Sequence, residues 1–376
     1  MTTNFISQIK DTRLKDKLRL KSALMGKPLI GPKSVNIHII NSCNYRCEFC
    51  WYFSPFVKSH PPKKMLDFKV LKRVLEDCAQ MGVDQINFEG GEVTLYPGWL
   101  QAFRMVKKLG MELVVYSHLG VNPRCLPGLC LASQLTVNFS AMSEESFKKI
   151  HGSRASFKLV SKNIERLLAI RQKRGAPKIV LSFVLYSSNF HELEAFLEMA
   201  QQRRVDKVVI RFFKATQQMK DLVFTKKQLI SLRNIVKSAL QKSYSFQHDL
   251  NGLYHLISDK QVLVDVEAMR HSKMHNDRLL FYDSTGGKIH CHTGWFYANI
   301  DEKGRVVAPC DNVGVCVAGN VNEQSFKEIW FHSDFLHHIL VEASNGIRTS
   351  SPKWRECRYC SYVSINQMIH DKIIIL

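Results

Sequence analysis

No run of about 18 apolar residues occurs in this 376-residue chain, and its most apolar stretch, Ile373 to Leu376, is only the tail, so no membrane-spanning helix is expected. Nor does a charged segment lead into a long apolar stretch and a cleavage site, the pattern of a secreted precursor. The 11 cysteines are therefore not read as a disulfide framework. Thiols kept reduced in the cytoplasm suggest metal. Internal repeats and low-complexity tracts are missing too, which sets aside repeat arrays. Acidic residues are scarce beside basic ones, 33 against 53, for a formal charge of +20. That excess attracts phosphates, acidic peptides, nucleic acid or anionic membrane, and does not choose among them.

What remains is ordinary globular composition, 45% hydrophobic and 23% charged, in a chain long enough for two or three units of about 150 residues. Residues 1–33 form a basic N-terminal helix and linker. Leu14, Leu18 and Met25, with Leu20 and Leu24, are expected to pack it on the main domain while its lysines stay solvated, with polyanion contact as the alternative. Between residues 34 and 213 the hydrophobic period alternates between strand and helix, as parallel βα units require. Six strands are read: Val35 to Ile40, Gln85 to Phe88, Glu112 to Tyr116, Gln134 to Phe139, Lys178 to Leu185 and Lys207 to Phe212. Helical stretches lie between them, including one from Glu144 to Arg171. Right-handed crossovers would curl these units into a partial (β/α)6 TIM-type barrel, an α/β fold whose chemistry sits at the carboxyl ends of its strands. Residues 214–290 bridge to a small C-terminal domain, 291–376, with a β-hairpin of Trp295 to Ile300 and Arg305 to Ala308 and a helix from Ser325 to Leu340.

Directly after the first strand the chain reads Cys43-Asn44-Tyr45-Arg46-Cys47-Glu48-Phe49-Cys50. Three thiolates on one loop suit zinc or a four-iron cluster, and with no fourth ligand nearby one coordination position stays open. After the second strand comes Gly90-Gly91-Glu92, where glycines allow backbone to approach a ligand and the carboxylate suits an ammonium group. A second set, Cys291, Cys310, Cys357 and Cys360, supplies four thiolates, enough for one zinc or one cubane. Cys316 is left over and could replace one of them. Cys78 reads as core, Cys125 and Cys130 as a buried pair, and His290 and His292 as solvent-facing.

The first loop resembles that of the radical S-adenosylmethionine enzymes, whose motif is C-x3-C-x-aromatic-C in a partial (β/α)6 barrel. The resemblance implies that Cys43, Cys47 and Cys50 hold a [4Fe-4S] cluster whose open iron chelates S-adenosylmethionine. Phe49 would pack on adenine, and Gly90, Gly91 and Glu92 would meet the methionine amino group. Ser117 and His118, then Asn138 and Ser140, match positions that often contact ribose or carboxylate. Two departures are visible: Ser117-His118-Leu119-Gly120 replaces Thr-Asn-Gly, and His151 stands before Gly152 where relatives carry Arg. Arg154 offers a guanidinium to the cofactor carboxylate, or is a surface arginine.

The C-terminal cysteines, with Gly304, Gly319-Asn320-Val321 and Trp330, resemble the SPASM or twitch extension of the same family. The full SPASM set has seven cysteines, so one auxiliary [4Fe-4S] cluster is expected from Cys291, Cys310, Cys357 and Cys360. By the same resemblance, reduction of the cofactor gives a 5′-deoxyadenosyl radical that takes hydrogen from a substrate carbon. The auxiliary cluster would accept a second electron, making the net reaction an oxidation. A small polar metabolite, hydroxylated or anionic, is the expected substrate. A ribosomal peptide is the alternative, although only 42 residues precede Cys43, too few for a leader-binding domain. An iron–sulfur protein that binds nucleic acid or senses redox state is a third reading, disfavoured because Phe49 and Gly90-Gly91-Glu92 would lack a use. An electron donor such as flavodoxin or ferredoxin is the implied partner.

Overall fold

The structure, a computed structural model, describes residues 6, 8–212, 217–258, 288–308, 316–348, 369 and 372. In chain order come α1 (Thr12–Met25), β1 (Ser34–Ile40), α2 (Phe68–Gln80), β2 (Gln85–Gly90), α3 (Trp99–Lys108), β3 (Glu112–Ser117), α4 (Leu126–Leu129), β4 (Gln134–Asn138), α5 (Glu144–His151) and α6 (Phe157–Arg174). Then follow β5 (Lys178–Leu185), α7 (Leu193–Gln202), β6 (Lys207–Phe212), α8 (Lys226–Ala239) and α9 (Leu250–Ser258). The C-terminal region adds β7 (Lys288–Ile289), β8 (Tyr297–Ile300), β9 (Arg305–Ala308), β10 (Cys316–Asn320), α10 (Phe326–His332), α11 (Asp334–Gly346) and β11 (Ile347–Arg348). Among the described residues no helix is long and apolar enough to cross a membrane.

The chain divides into two compact units, one of Met1–Ser42, Lys63–Val115 and Thr285–Leu376, the other of Cys43–Pro62 and Tyr116–Ser284. In the first, strands run in the order β10-β9-β8-β1-β2-β3. β1 pairs in parallel with β2 on one side and β8 on the other, and β2 pairs in parallel with β3. β9 joins β8 and β10 antiparallel, so the expected hairpin is present and extends the parallel sheet. In the second unit β4, β5 and β6 are parallel. Because both edges of β1 are taken by β2 and β8, β6 cannot pair with it. The βα strands therefore leave an open sheet, as a partial barrel does.

Alternation along the strands sets the layers. Val35, Ile37 and Ile39 on β1 and Ile86 and Phe88 on β2 are fully buried, and Phe88 stacks on Phe103 of α3 at 5.6 Å between centroids. α2 adds Leu71, Val74, Leu75 and Cys78 to the core. The opposite strand face is polar: Asn87 Nδ2 donates to Asn36 Oδ1 at 2.5 Å, and Asn36 Nδ2 donates to Asn299 Oδ1 at 2.8 Å. These residues sit level across β2, β1 and β8. His38 and Glu89, one step on, pair at 3.7 Å.

Three expectations are corrected. α1 forms, but Leu14, Leu24 and Met25 are 43%, 56% and 55% exposed; the buried residues are Arg19, Leu20 and Ser22. The Arg19 guanidinium donates to the carbonyls of Gly31, Pro32 and Gly82 and to Asp16 and Asp84. With all of its polar fork satisfied, burying the arginine orients the helix better than the leucines do. The helix read from Glu144 to Arg171 is two, α5 and α6. Gly152 breaks it with a φ of 94°, and Ser156 caps the second half. Likewise the helix read from Ser325 to Leu340 breaks at extended Ser333, whose hydroxyl accepts from the N–H of Leu336.

Candidate functional site

The loop after β1 is built by the second unit around its own thiols. The N–H of Tyr45 donates to Cys43 Sγ and the N–H of Phe53 to Cys50 Sγ, each at 3.4 Å. The third sulfur, Cys47 Sγ, lies 3.2 Å from His151 Nδ1. Burial pushes the Cys47 thiol well up, and the neighbouring Cys50 and Cys43 add to the effect; burial raises Cys50 as well. Cys47 and Cys50 thus resist ionisation by themselves, and a bound cation reverses that by deprotonating its ligands. Among the described residues no three His, Cys, Asp or Glu groups converge closely enough to hold one ion. Thiolates on separate irons of a cubane need not converge on one point.

Several groups hold this loop. The N–H of Arg46 donates to the carbonyl of His151 at 3.0 Å and that of Glu48 to Ile150 at 2.8 Å, tying the loop to the last turn of α5. A Cβ at Gly152 would press on Arg46, 3.1 Å from its Cβ, so glycine permits that approach. Tyr45 stacks on His118 at 3.8 Å. His118 Nδ1 accepts from the N–H of Gly120, which leaves Nε2–H to donate to Asn44 Oδ1 at 3.0 Å. Glu48, 8% exposed, accepts from the Tyr186 hydroxyl at 2.7 Å. Burial, with the Glu48 carboxylate beside it, raises the Tyr186 hydroxyl far above its ordinary range. His151 is fully buried, and that burial, with His118 adding, lowers it to about 3, so its ring is neutral.

Sequence reasoning missed Glu48, Tyr186 and a role for His151; His118, expected beside Ser117 at a ribose or carboxylate position, stacks on Tyr45 and bonds Asn44 of the cysteine loop. The visible signals were the two departures from the family pattern, at His118 and His151. Both residues pack against the cysteine loop.

Phe49 is half-buried, edge-on to His151 and Tyr186 at 5.7 and 6.1 Å. Ser117 Oγ accepts from the N–H of Leu119. Ser140 is fully buried; its hydroxyl donates to Asn138 Oδ1 at 2.7 Å and accepts from the N–H of Val184 at 2.9 Å. Arg154 and Arg46, with Asn44, Gly152 and Ser153, line a cavity of about 200 Å³.

The glycine strip lies in the first unit. Gly91 N–H donates to the carbonyl of Ile40 at 2.6 Å and Glu92 N–H to that of Ser42 at 3.0 Å. A Cβ on Gly90 would overlap the Ile40 oxygen, and one on Gly91 the Ser42 oxygen. The glycines are thus required by the approach of two chain segments. Glu92 is fully buried and caps the turn Val93–Leu95, accepting from Thr94 N–H and hydroxyl at 3.2 and 2.9 Å.

Of the C-terminal thiols, Cys291 is half-buried and burial raises it; Cys310, Cys357 and Cys360 lie outside the described residues. Cys316 is buried in β10. His292 is only 6% exposed, contrary to expectation, because His290, His292 and Trp295 all converge on Ser344 of α11. Cys125 and Cys130, expected to be buried, are each half-buried.

A family model described as the Radical SAM superfamily matches residues 37–200, and one described as the SPASM iron-sulfur cluster-binding domain matches residues 291–361. An S-adenosylmethionine-dependent nucleotide dehydratase of Thermoplasmatales archaeon (strain ISO4-H5) is 37% identical over 86 residues, 23% of this chain and 29% of that protein. A GTP 3′,8-cyclase of Chlorobaculum tepidum is 30% identical over 177 residues, 45% of this chain and 50% of that protein. The chain spans half or less of the length of these relatives. Streptococcus suis SuiB, solved bound to S-adenosylmethionine, superposes with a TM-score of 0.62 at 13% identity over 94% of this chain and 78% of that one. With precursor peptide SuiA bound, the same protein gives 0.61 at 14% identity, over 94% and 76%. At such identity the likeness is one of fold. A radical SAM domain carries a [4Fe-4S] cluster with S-adenosylmethionine, and a SPASM domain carries auxiliary iron–sulfur clusters.

Proposed function

Because this chain belongs to the radical SAM superfamily and carries a C-terminal SPASM domain, we propose that it is an oxidoreductase acting on a small polar metabolite, hydroxylated or anionic. The observation that carries the radical chemistry is the loop at Cys43, Cys47 and Cys50, where three half-buried thiols each have a hydrogen-bonding neighbour. When bound, the cluster and S-adenosylmethionine supply a 5′-deoxyadenosyl radical that takes a hydrogen atom from the substrate.

The chain's own residues then have four tasks. The three thiolates hold the cluster and leave one iron open. Phe49 shields one side of the site from water, and Gly90-Gly91-Glu92 presents backbone and carboxylate to the methionine ammonium. Ser117 and Asn138 lie at strand ends suited to ribose or carboxylate, while the Ser140 hydroxyl positions Asn138. Cys291, Cys310, Cys357 and Cys360 hold one auxiliary [4Fe-4S] cluster that takes the second electron.

The metabolite reading is supported by the sequence relatives, both named for nucleotide chemistry, and by the charge of +20, which raises encounter rates with anions. The protein works in the cytoplasm with a flavodoxin-like or ferredoxin-like donor. The test is to incubate reduced, reconstituted protein with deuterated nucleotide and sugar-phosphate pools. Deuterium in 5′-deoxyadenosine and a product two hydrogens lighter are expected. Deuterium transfer from a ribosomal peptide alone, with no small-molecule turnover, would replace the metabolite by a peptide substrate.

A further inference from the structure

Of the hydrogen bonds described for the three loop sulfurs, those to Cys43 and Cys50 come from backbone N–H groups, which no side-chain substitution removes. The neighbour of Cys47 is a side chain, His151, with Nδ1 3.2 Å from the sulfur. That ring is held tightly. It is fully buried against Phe147, Phe49 and Tyr45, at centroid distances of 4.4, 5.7 and 6.1 Å. Its own carbonyl and that of Ile150 accept from Arg46 and Glu48, the residues on either side of Cys47. These bonds fix the backbone from which the ring projects, and the surrounding aromatic rings limit its rotation.

The position of the ring proton follows from the other nitrogen. His151 Nε2 is buried and has no hydrogen-bond partner among the described residues. An orphaned buried N–H costs more than a bare acceptor, so the proton sits on Nδ1, facing the sulfur. A thiolate can only accept, and a sulfur bound to iron is such an acceptor.

We infer that His151 is a positioning residue that donates its Nδ1–H to the Cys47 sulfur of the assembled cluster and thereby holds the reduction potential above the value that backbone bonds alone would set. The inference rests on the assignment of Cys43, Cys47 and Cys50 to that cluster. Its cause is electrostatic: a hydrogen bond to a ligating sulfur draws electron density from a negatively charged cluster, which eases addition of the next electron. His151 thus tunes how readily the cluster is reduced by acting through the Cys47 sulfur.

The test is an anaerobic redox titration of the full-length protein followed by electron paramagnetic resonance. The loop cluster is told from the auxiliary one by the change in its signal on adding S-adenosylmethionine. His151→Phe keeps an aromatic ring without the N–H, and His151→Asn restores an amide N–H near the same place. A lower potential is expected for His151→Phe, with His151→Asn close to wild type and the auxiliary signal unmoved in both. An unchanged potential in His151→Phe would overturn the inference. If that variant fails to keep the cluster, wild-type protein labelled with [15N]histidine decides the matter. Pulsed resonance should show weak coupling to one histidine nitrogen that disappears in His151→Asn; no coupling in wild type overturns the inference. A separate outcome addresses the underlying assignment: a cofactor-sensitive signal surviving in the Cys43→Ala, Cys47→Ala, Cys50→Ala triple variant removes that assignment, and the inference with it.

Discussion

The N–H of Glu92 donates to the carbonyl of Ser42 at 3.0 Å, one residue before Cys43, and a Cβ on Gly91 would overlap that same oxygen. The glycine strip therefore braces the exit of β1, where the cysteine loop begins. Gly91→Ala should destabilise the protein by about 1–3 kcal/mol, as overpacking does, and should speed loss of iron to a chelator. Gly175→Ala is the contrast: its φ is +73° but nothing lies within 4 Å, so it should cost only about 1 kcal/mol and leave iron retention unchanged. Thermal unfolding and timed iron release in anaerobic buffer check both. Equal iron loss in the two variants would argue against a brace.

Replacing Cys43, Cys47 and Cys50 together with Ala should abolish reductive cleavage of S-adenosylmethionine while roughly four irons remain bound elsewhere. The measurement is 5′-deoxyadenosine formation alongside iron analysis. Retained cleavage would mean that another set of ligands holds the cofactor's cluster.

Two cubanes set the expected iron content of the intact, reconstituted protein at about eight. Iron and sulfide assays with Mössbauer spectroscopy read this directly. Zinc bound by the C-terminal thiols, or a ceiling of four irons, would refute the single auxiliary cluster drawn from Cys291, Cys310, Cys357 and Cys360.

Asp84→Ala should cost about 3 kcal/mol, the low end for breaking a buried ion pair. It removes one carboxylate from Arg19, whose side chain is wholly buried, while Asp16 still faces the guanidinium. Urea unfolding of the anaerobically purified variant measures the loss, and an unmoved midpoint would show that Asp16 and the carbonyl partners satisfy Arg19 without Asp84.

Local patterns made much of the fold legible. The order of six βα strands, the cysteine loop after β1 and the hairpin of β8 and β9 follow from period and spacing over short stretches. Long-range choices did not. The inward face of α1 is set by carbonyls of Gly31, Pro32 and Gly82 that accept from Arg19, and helix periodicity carries no trace of them. The breaks at Gly152 and Ser333 were overridden by apolar spacing that runs on through both helices. The need for Gly90 and Gly91 is visible in the sequence as room for a ligand; that a Cβ at either position would also overlap the Ile40 or Ser42 oxygen within the first unit is not. At His118 and His151 the departures from the family pattern marked side chains that pack on the loop, a contact visible only once strand and helix ends were placed.

The parallel pairing of β8 with β1, residue for residue from Ser34 with Tyr297 to Ile37 with Ile300, makes the C-terminal segment part of the sheet that launches the cysteine loop. A truncation before β8 would strip one edge of β1 and strand Asn36 without its Asn299 partner, exposing a hydrogen-bonding template that invites aggregation. The segment is therefore no detachable appendage. Swapping it for that of a relative, to graft a new specificity, would require matching the register along β1 as well as the cluster ligands.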